Sequence, residues 1–203
     1  MAGASWTRFA VAETAEAQPQ AVRLSTLRGC QLAIGRYPAF RYDGTGGGGP
    51  GISLSQAGRQ RRLEFPADDL IIPPLDWRST RWLGLPLPPG LTITICPETL
   101  HGQWDPSDGS IALTFASRFR FRIGSEQAAL YRAPDLRVAC TLSSSSASGV
   151  RHQASGQARQ ANGTTRLVGV ARVEPSGDAW LDRFLGLPEE ALAVLQCRVE
   201  IEA

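Results

Sequence analysis

The sequence predicts a mainly β protein, with antiparallel strands packed as a sandwich or flattened barrel of two pseudo-repeated halves and two short helical plugs. Three observations carry this. Apolar and polar residues alternate over most of the chain, as in strands with one wet face, whereas parallel α/β strands read as continuous apolar runs. Twenty-one Gly and fourteen Pro break the chain at short intervals. One phrase occurs twice: Arg81-Trp82-Leu83-Gly84-Leu85-Pro86 and Arg183-Phe184-Leu185-Gly186-Leu187-Pro188. Each copy follows an Asp in the same register (Asp76, Asp178) and a proline further upstream (Pro73, Pro175).

Residues 1–20, rich in Ala, Glu and Gln without a stable period, are expected to form a loose arm before one β-rich domain over 21–203, with pseudo-repeats at about 21–98 and 109–203. Strands are expected at 22–27, 30–34, 39–43, 51–55, 60–65, 68–72, 91–96 and 98–104. The clearest alternation follows. Ile111, Leu113, Phe115, Phe119, Phe121 and Ile123 share one parity, Thr114, Arg118, Arg120 and Arg122 the other, and Ser117 on the apolar parity marks a bend or bulge. Leu136, Val138, Cys140 and Leu142 alternate with Arg137 and Thr141. Residues 149–160 and 165–173 read as an antiparallel pair across Ala161-Asn162-Gly163, because Asn-Gly suits a tight hairpin turn. At the C-terminus Leu195, Cys197, Val199 and Ile201 point inward.

The repeated phrase supplies the helices. Asp178 suits an N-cap, Trp180, Leu181, Phe184 and Leu185 fall on one helical face, Gly186 suits the left-handed C′ position and Pro188 stops the helix. Asp76 to Pro86 repeats these letters, so a second short helix is expected there. Asp43–Pro50, with its glycine tract, and Ser143–Gly149 read as flexible low-complexity loops.

Composition narrows the function classes. At 203 residues and a formal charge of +2, the chain exerts no general pull on nucleic acid, and none is expected as a partner. All positive side chains are Arg, so lysine-dependent Schiff-base and P-loop chemistry is excluded. Cys30, Cys96, Cys140 and Cys197 show no metal-ligand spacing and are expected to be free thiols inside strands. With no apolar h-region near the start and no apolar run of about 18 residues, the expected setting is cytoplasmic, at most peripheral to an internal membrane.

No catalytic, metal or cofactor signature emerges. His101 and His152 lie apart on strand or turn segments, Asp68-Asp69 face opposite sides of a strand, and Glu189-Glu190 sit where a helix N-terminus favours negative charge. Two groups stand out as candidate binding residues. Arg118, Arg120 and Arg122 project about 7 Å apart along one strand face, a ladder suited to an acidic partner or an anionic membrane surface, or else one balanced by neighbouring acids such as Glu200 and Glu202. Trp77, Trp82 and Trp180, on the short plugs, are placed to line an apolar cavity or to fill a core.

Trp77 to Leu91, together with Leu130-Tyr131-Arg132-Ala133-Pro134-Asp135-Leu136, resembles stretches in small uncharacterised β-rich proteins of cyanobacteria. The resemblance covers about a fifth of the chain and implies a setting, a photosynthetic cell in which soluble accessory and assembly proteins work beside membranes. The leading functional reading is a non-catalytic accessory or binding protein acting through the arginine face. The alternative is an intracellular carrier of an apolar small molecule or lipid between the sheets. A hydrolase or isomerase using His101 or Asp76 ranks last.

Overall fold

A computed structural model describes residues 19–56 and 59–202, so most of the expected N-terminal arm lies outside the described residues. The strands are β1 (Gln20–Thr26), β2 (Arg28–Ile34), β3 (Phe40–Asp43), β4 (Gly48–Ser55), β5 (Arg61–Phe65), β6 (Thr80–Trp82), β7 (Leu85–Pro86) and β8 (Leu91–Trp104). They continue as β9 (Ile111–Gly124), β10 (Ala129–Arg132), β11 (Leu136–Ser143), β12 (Ser146–Ser148), β13 (Gln153–Ser155), β14 (Thr164–Val173) and β15 (Glu189–Ile201). One α-helix, α1 (Ala179–Leu185), and a 3-10 turn at Ala67–Asp69 are the helical elements among the described residues.

All strand pairings are antiparallel, as the alternation predicts, but thirteen strands join one sheet rather than two facing sheets, which corrects the sandwich expectation. The path β1-β4-β5-β8-β9-β11-β14-β15 returns to β1 through the pairs Val22↔Ile201 to Thr26↔Cys197, so the sheet curls into a ring. Side chains of one parity then share a common interior.

The ring differs at its two ends because two long strand lines are broken. β1 and β2 run as one line along β15, yet five steps from Thr26 to Gln31 oppose three from Cys197 to Val194. The surplus residues at Leu27–Gly29 turn the chain, with Gly29 at φ 87°. Beyond that break β15 neighbours β2 instead of β1, and β2 carries β3, β6 and β7 with it. β8 breaks at the same level, where Pro97 and Thr99 oppose Ser117 and Ala116 and leave Glu98 as the extra residue. Ser117 thus marks a bulge, as its parity suggested, but the surplus residue belongs to the partner strand. Below the breaks the ring is tight; above them added strands widen it.

The tight end is filled. Leu63, Leu113, Leu167, Cys197 and Val199 are fully buried there, joined by Val22, Leu24, Phe65 and Ile111. Gly48 and Gly49, expected in a flexible loop, are buried in β4. A Cβ on Gly48 would strike the Leu24 carbonyl and one on Gly49 the Asp69 carbonyl, so glycine lets neighbouring backbones press close.

Other expectations are corrected as well. Residues 68–72 form the 3-10 turn and a lone bridge at Ile71, not a strand. The Asn-Gly turn closes as read, with Gly163 at φ 82°, but of 149–160 only Gln157 bridges to β14, at Arg166; residues 146–155 make their own β12–β13 hairpin. The serine-rich stretch is therefore structured, and the Ile111 N–H donates to Ser144 Oγ at 2.8 Å.

The second copy of the repeated phrase forms α1, with Asp178 Oδ1 accepting the Leu181 N–H at 2.7 Å and Gly186 left-handed at φ 72°. The first copy is not helical: it forms a turn and the β6–β7 hairpin, with Leu83 and Gly84 at positive φ. Residues 70–96 and 172–198 do not share a strand–helix–strand shape, and there is one helical plug, not two. Among the described residues no helix is long and apolar enough to cross a membrane.

Candidate functional site

Following β9 from the tight end to the wide end locates the site. Ile111 and Leu113 are buried at 2% and 0% exposure, whereas Phe115, Phe119, Phe121 and Ile123, on the same inward parity, are only half-buried. β15 behaves alike: Val199 and Cys197 are sealed, while Ala193 and Ala191 are not. Inward side chains at the wide end face a cavity of about 540 Å³, within the range of small-molecule sites.

The floor is made of Leu24, Leu70, Leu100 and Leu142, where the filled core ends. β9 supplies one wall through its three phenylalanines. β3 and β6 supply another through Phe40, Tyr42 and Trp82, with the Phe40 and Trp82 rings stacked at 6.1 Å and 19°. The polar side chains in the lining are neutral, among them Thr26, Gln31 and Tyr42. No Asp, Glu, Arg or His side chain lines it among the described residues. Burial pushes the Cys140 thiol of the lining up to about 11, so it stays protonated at neutral pH.

α1 lies at the mouth. Its Leu181 and Leu185 pack on Val173, Leu136 and Ala133, while Trp180 and Phe184 remain 54% and 49% exposed with their rings parallel at 5.3 Å. Tyr131 of β10 meets Trp180 edge-on at 4.9 Å, and Tyr37 of the β2–β3 turn lies 5.8 Å from Phe184 and donates its hydroxyl to the Phe184 carbonyl. The helix therefore bridges two sides of the wide end. Its base is latched by Asp182, whose carboxylate accepts the Ser176 hydroxyl at 2.6 Å and the Ser176 and Gly177 amides; the Ser176 bonds hold its pKa below the ordinary range despite some desolvation.

The predicted site residues divide. Trp82 and Trp180 line the cavity, whereas Trp77 does not: it is exposed, with the Arg78 guanidinium 4.9 Å above its ring. Arg118, Arg120 and Arg122 project from the outer face of β9. Glu98 and Asp135 pair with Arg118 at 2.8 and 3.6 Å, Asp135 with Arg120 at 3.1 Å, and Glu126 with Arg122 at 3.8 Å. Glu200 instead approaches Arg198, across from Arg23, so the acids suggested from sequence are not the ones that balance the ladder. Arg137 and Arg132 stand cross-strand from Arg118 and Arg122, so five arginines share this face with three carboxylates.

The residues considered for catalysis do not converge. His101 is exposed opposite Glu64, and Asp76 is spent on its own turn, accepting the Arg78 and Ser79 amides at 2.8 and 3.0 Å. Glu190 is the second residue of β15 rather than part of a helix start, and takes the Val150, Arg151 and His152 amides at 2.7, 3.0 and 2.6 Å. Among the described residues no group of three or more His, Cys, Asp or Glu is placed to hold a metal ion.

Sequence reasoning missed Tyr37, Phe40, Tyr131 and Phe184 as cavity residues. Aromatic content was the available signal, but only the fold brings these four segments to one cavity. Comparison with known proteins finds no matching family model, no matching curated protein and no matching solved structure.

Proposed function

We propose that this is a non-catalytic binding protein that carries an apolar small molecule in the wide-end cavity. The observation that carries the reading is the pairing, in one ring, of a filled tight end with an open wide end that no charged side chain among the described residues lines. A chain able to pack Leu63, Leu113 and Leu167 to zero exposure has the means to close the other end too. Leaving Phe119 and Phe121 facing open space forgoes dispersion and burial energy, which a bound apolar molecule would restore. The test is a titration with N-phenyl-1-naphthylamine, which fluoresces in apolar surroundings. The wild-type chain should show one saturable site, and Ala193→Phe, which fills the lining from β15, should lose at least tenfold in affinity while folding normally. Equal binding by the filled variant would refute the cavity as the site.

A second reading, an acidic protein partner or anionic membrane surface held by the arginine face, draws support from the two cations left over there. Replacing Arg118, Arg120 and Arg122 together by Gln should abolish cosedimentation with phosphatidylglycerol vesicles and leave the urea unfolding midpoint nearly unchanged, because exposed ion pairs contribute little. Cosedimentation that survives both the triple change and 1 M salt would remove this reading, since the Debye length there is about 3 Å.

A further inference from the structure

Resting on the carrier reading, we infer that the cavity selects a planar, conjugated, uncharged molecule, a polyene or a fused-ring system, over a saturated chain of similar size. The ground is where the aromatic residues lie. Thirteen of them fall among the described residues, and ten of these line this one cavity. At the tight end, by contrast, Phe65 is the one aromatic among the twelve buried residues of the core cluster, with Trp104 half-buried against them. The enrichment therefore belongs to the cavity and not to the interior in general.

Their arrangement suits a flat π-system. The phenylalanines of β9 and the Phe40–Trp82 stack of β3 and β6 stand on separate walls of the same space. The Trp180 and Phe184 rings lie 2° from parallel at the mouth. Aromatic faces and edges attract other π-systems through their quadrupoles, beyond the area they bury, whereas a saturated chain gains area alone. Leu and Ile side chains would serve a saturated chain equally, and the floor shows that the fold uses them where it is free to. No charged side chain among the described residues lines the cavity, so the part of the ligand inside should be neutral, since an unpaired charge there would forfeit its hydration.

The experiment compares retinol with octadecan-1-ol, both apolar and each bearing one hydroxyl, by equilibrium partition of labelled ligand onto the intact chain. Retinol should bind at least tenfold more tightly, a difference of about 1.4 kcal/mol. In the double variant Phe119→Leu/Phe121→Leu, which keeps an apolar wall and removes two rings, the ratio should fall towards one. Octadecanol binding as well as or better than retinol would overturn this inference and leave the carrier reading standing. Binding of neither would overturn the carrier reading itself. A ratio unchanged in the double variant would show that the preference does not come from these walls. The wild-type comparison decides the main point whether or not the variant folds.

Discussion

The two copies of the Arg-aromatic-Leu-Gly-Leu-Pro phrase begin alike and end as different structures. Both open on an aspartate whose side chain captures backbone amides two or three residues on, Asp76 those of Arg78 and Ser79, and Asp178 that of Leu181. In the second copy the turn continues as α1 and Gly186 ends it in the left-handed conformation. In the first, one turn closes from the Thr80 N–H to the Asp76 carbonyl; the chain then extends as β6 along β3, and Leu83 and Gly84, at φ 52° and 83°, reverse it into β7. The difference lies in letters outside the shared phrase. Helix positions 181 and 185 are both Leu and form the i, i+4 stripe that packs on Val173 and Leu136. Their counterparts are Ser79 and Leu83, so the first copy has no apolar stripe to bury. The edge of β3 offers hydrogen bonds instead. Capping residues mark where a turn begins; whether a helix follows depends on the face it can bury.

The same letter should therefore respond in opposite directions in the two copies. Leu185→Ala removes a buried side chain and should cost about 2–5 kcal/mol. Leu83 is exposed and held at positive φ, so Leu83→Asn, which tolerates that conformation, should stabilise the chain by up to about 1 kcal/mol. Urea unfolding of both variants measures this. Similar losses at the two positions would mean that the copies are not packed as described.

A smaller effect sharpens the contrast through pH. α1 is latched by Asp182, whose counterpart in the first copy is Thr80, which cannot ionise. The Asp182 pKa is depressed in the folded chain, so its contribution is complete above its unfolded value of roughly 3.9 and is lost as pH falls through the lower folded value. Melting temperature should fall on acidification below about pH 4, and Asp182→Asn should show a shallower fall from a lower starting point. An acid-side slope identical in variant and wild type would show that Asp182 does not latch the helix.

What the sequence made legible was local. The alternation of β9 and β15, the capped helix at Asp178–Gly186 and the Asn-Gly turn are each set by neighbours within a few residues, and each is present. The single curled sheet was not legible, because alternation tells which way a side chain points and not how many strands stand beside it. The cavity was hidden for the same reason. Phe115, Phe119 and Phe121 share the parity of Leu113, and only the breaks at Leu27–Gly29 and Glu98 determine that Leu113 meets a packed core while the phenylalanines meet open space. The glycine tract misled in the opposite sense: composition suggested a loose loop, whereas close approach to the Leu24 and Asp69 carbonyls places Gly48 and Gly49 in the sheet. Of the candidate site, Trp82 and Trp180 were visible as aromatics on the repeated phrase. Trp77 was misassigned because its helix does not exist.

The contrast between the filled tight end and the open wide end is tested by organic extraction and mass analysis of the native protein purified from its own cell. Wild-type protein should yield one apolar, uncharged molecule per chain, released only when the protein is denatured and missing from the Ala193→Phe variant prepared in the same way. Recovery of the same molecule in equal amount from wild type and filled variant, or of none from either, would contradict the carrier reading.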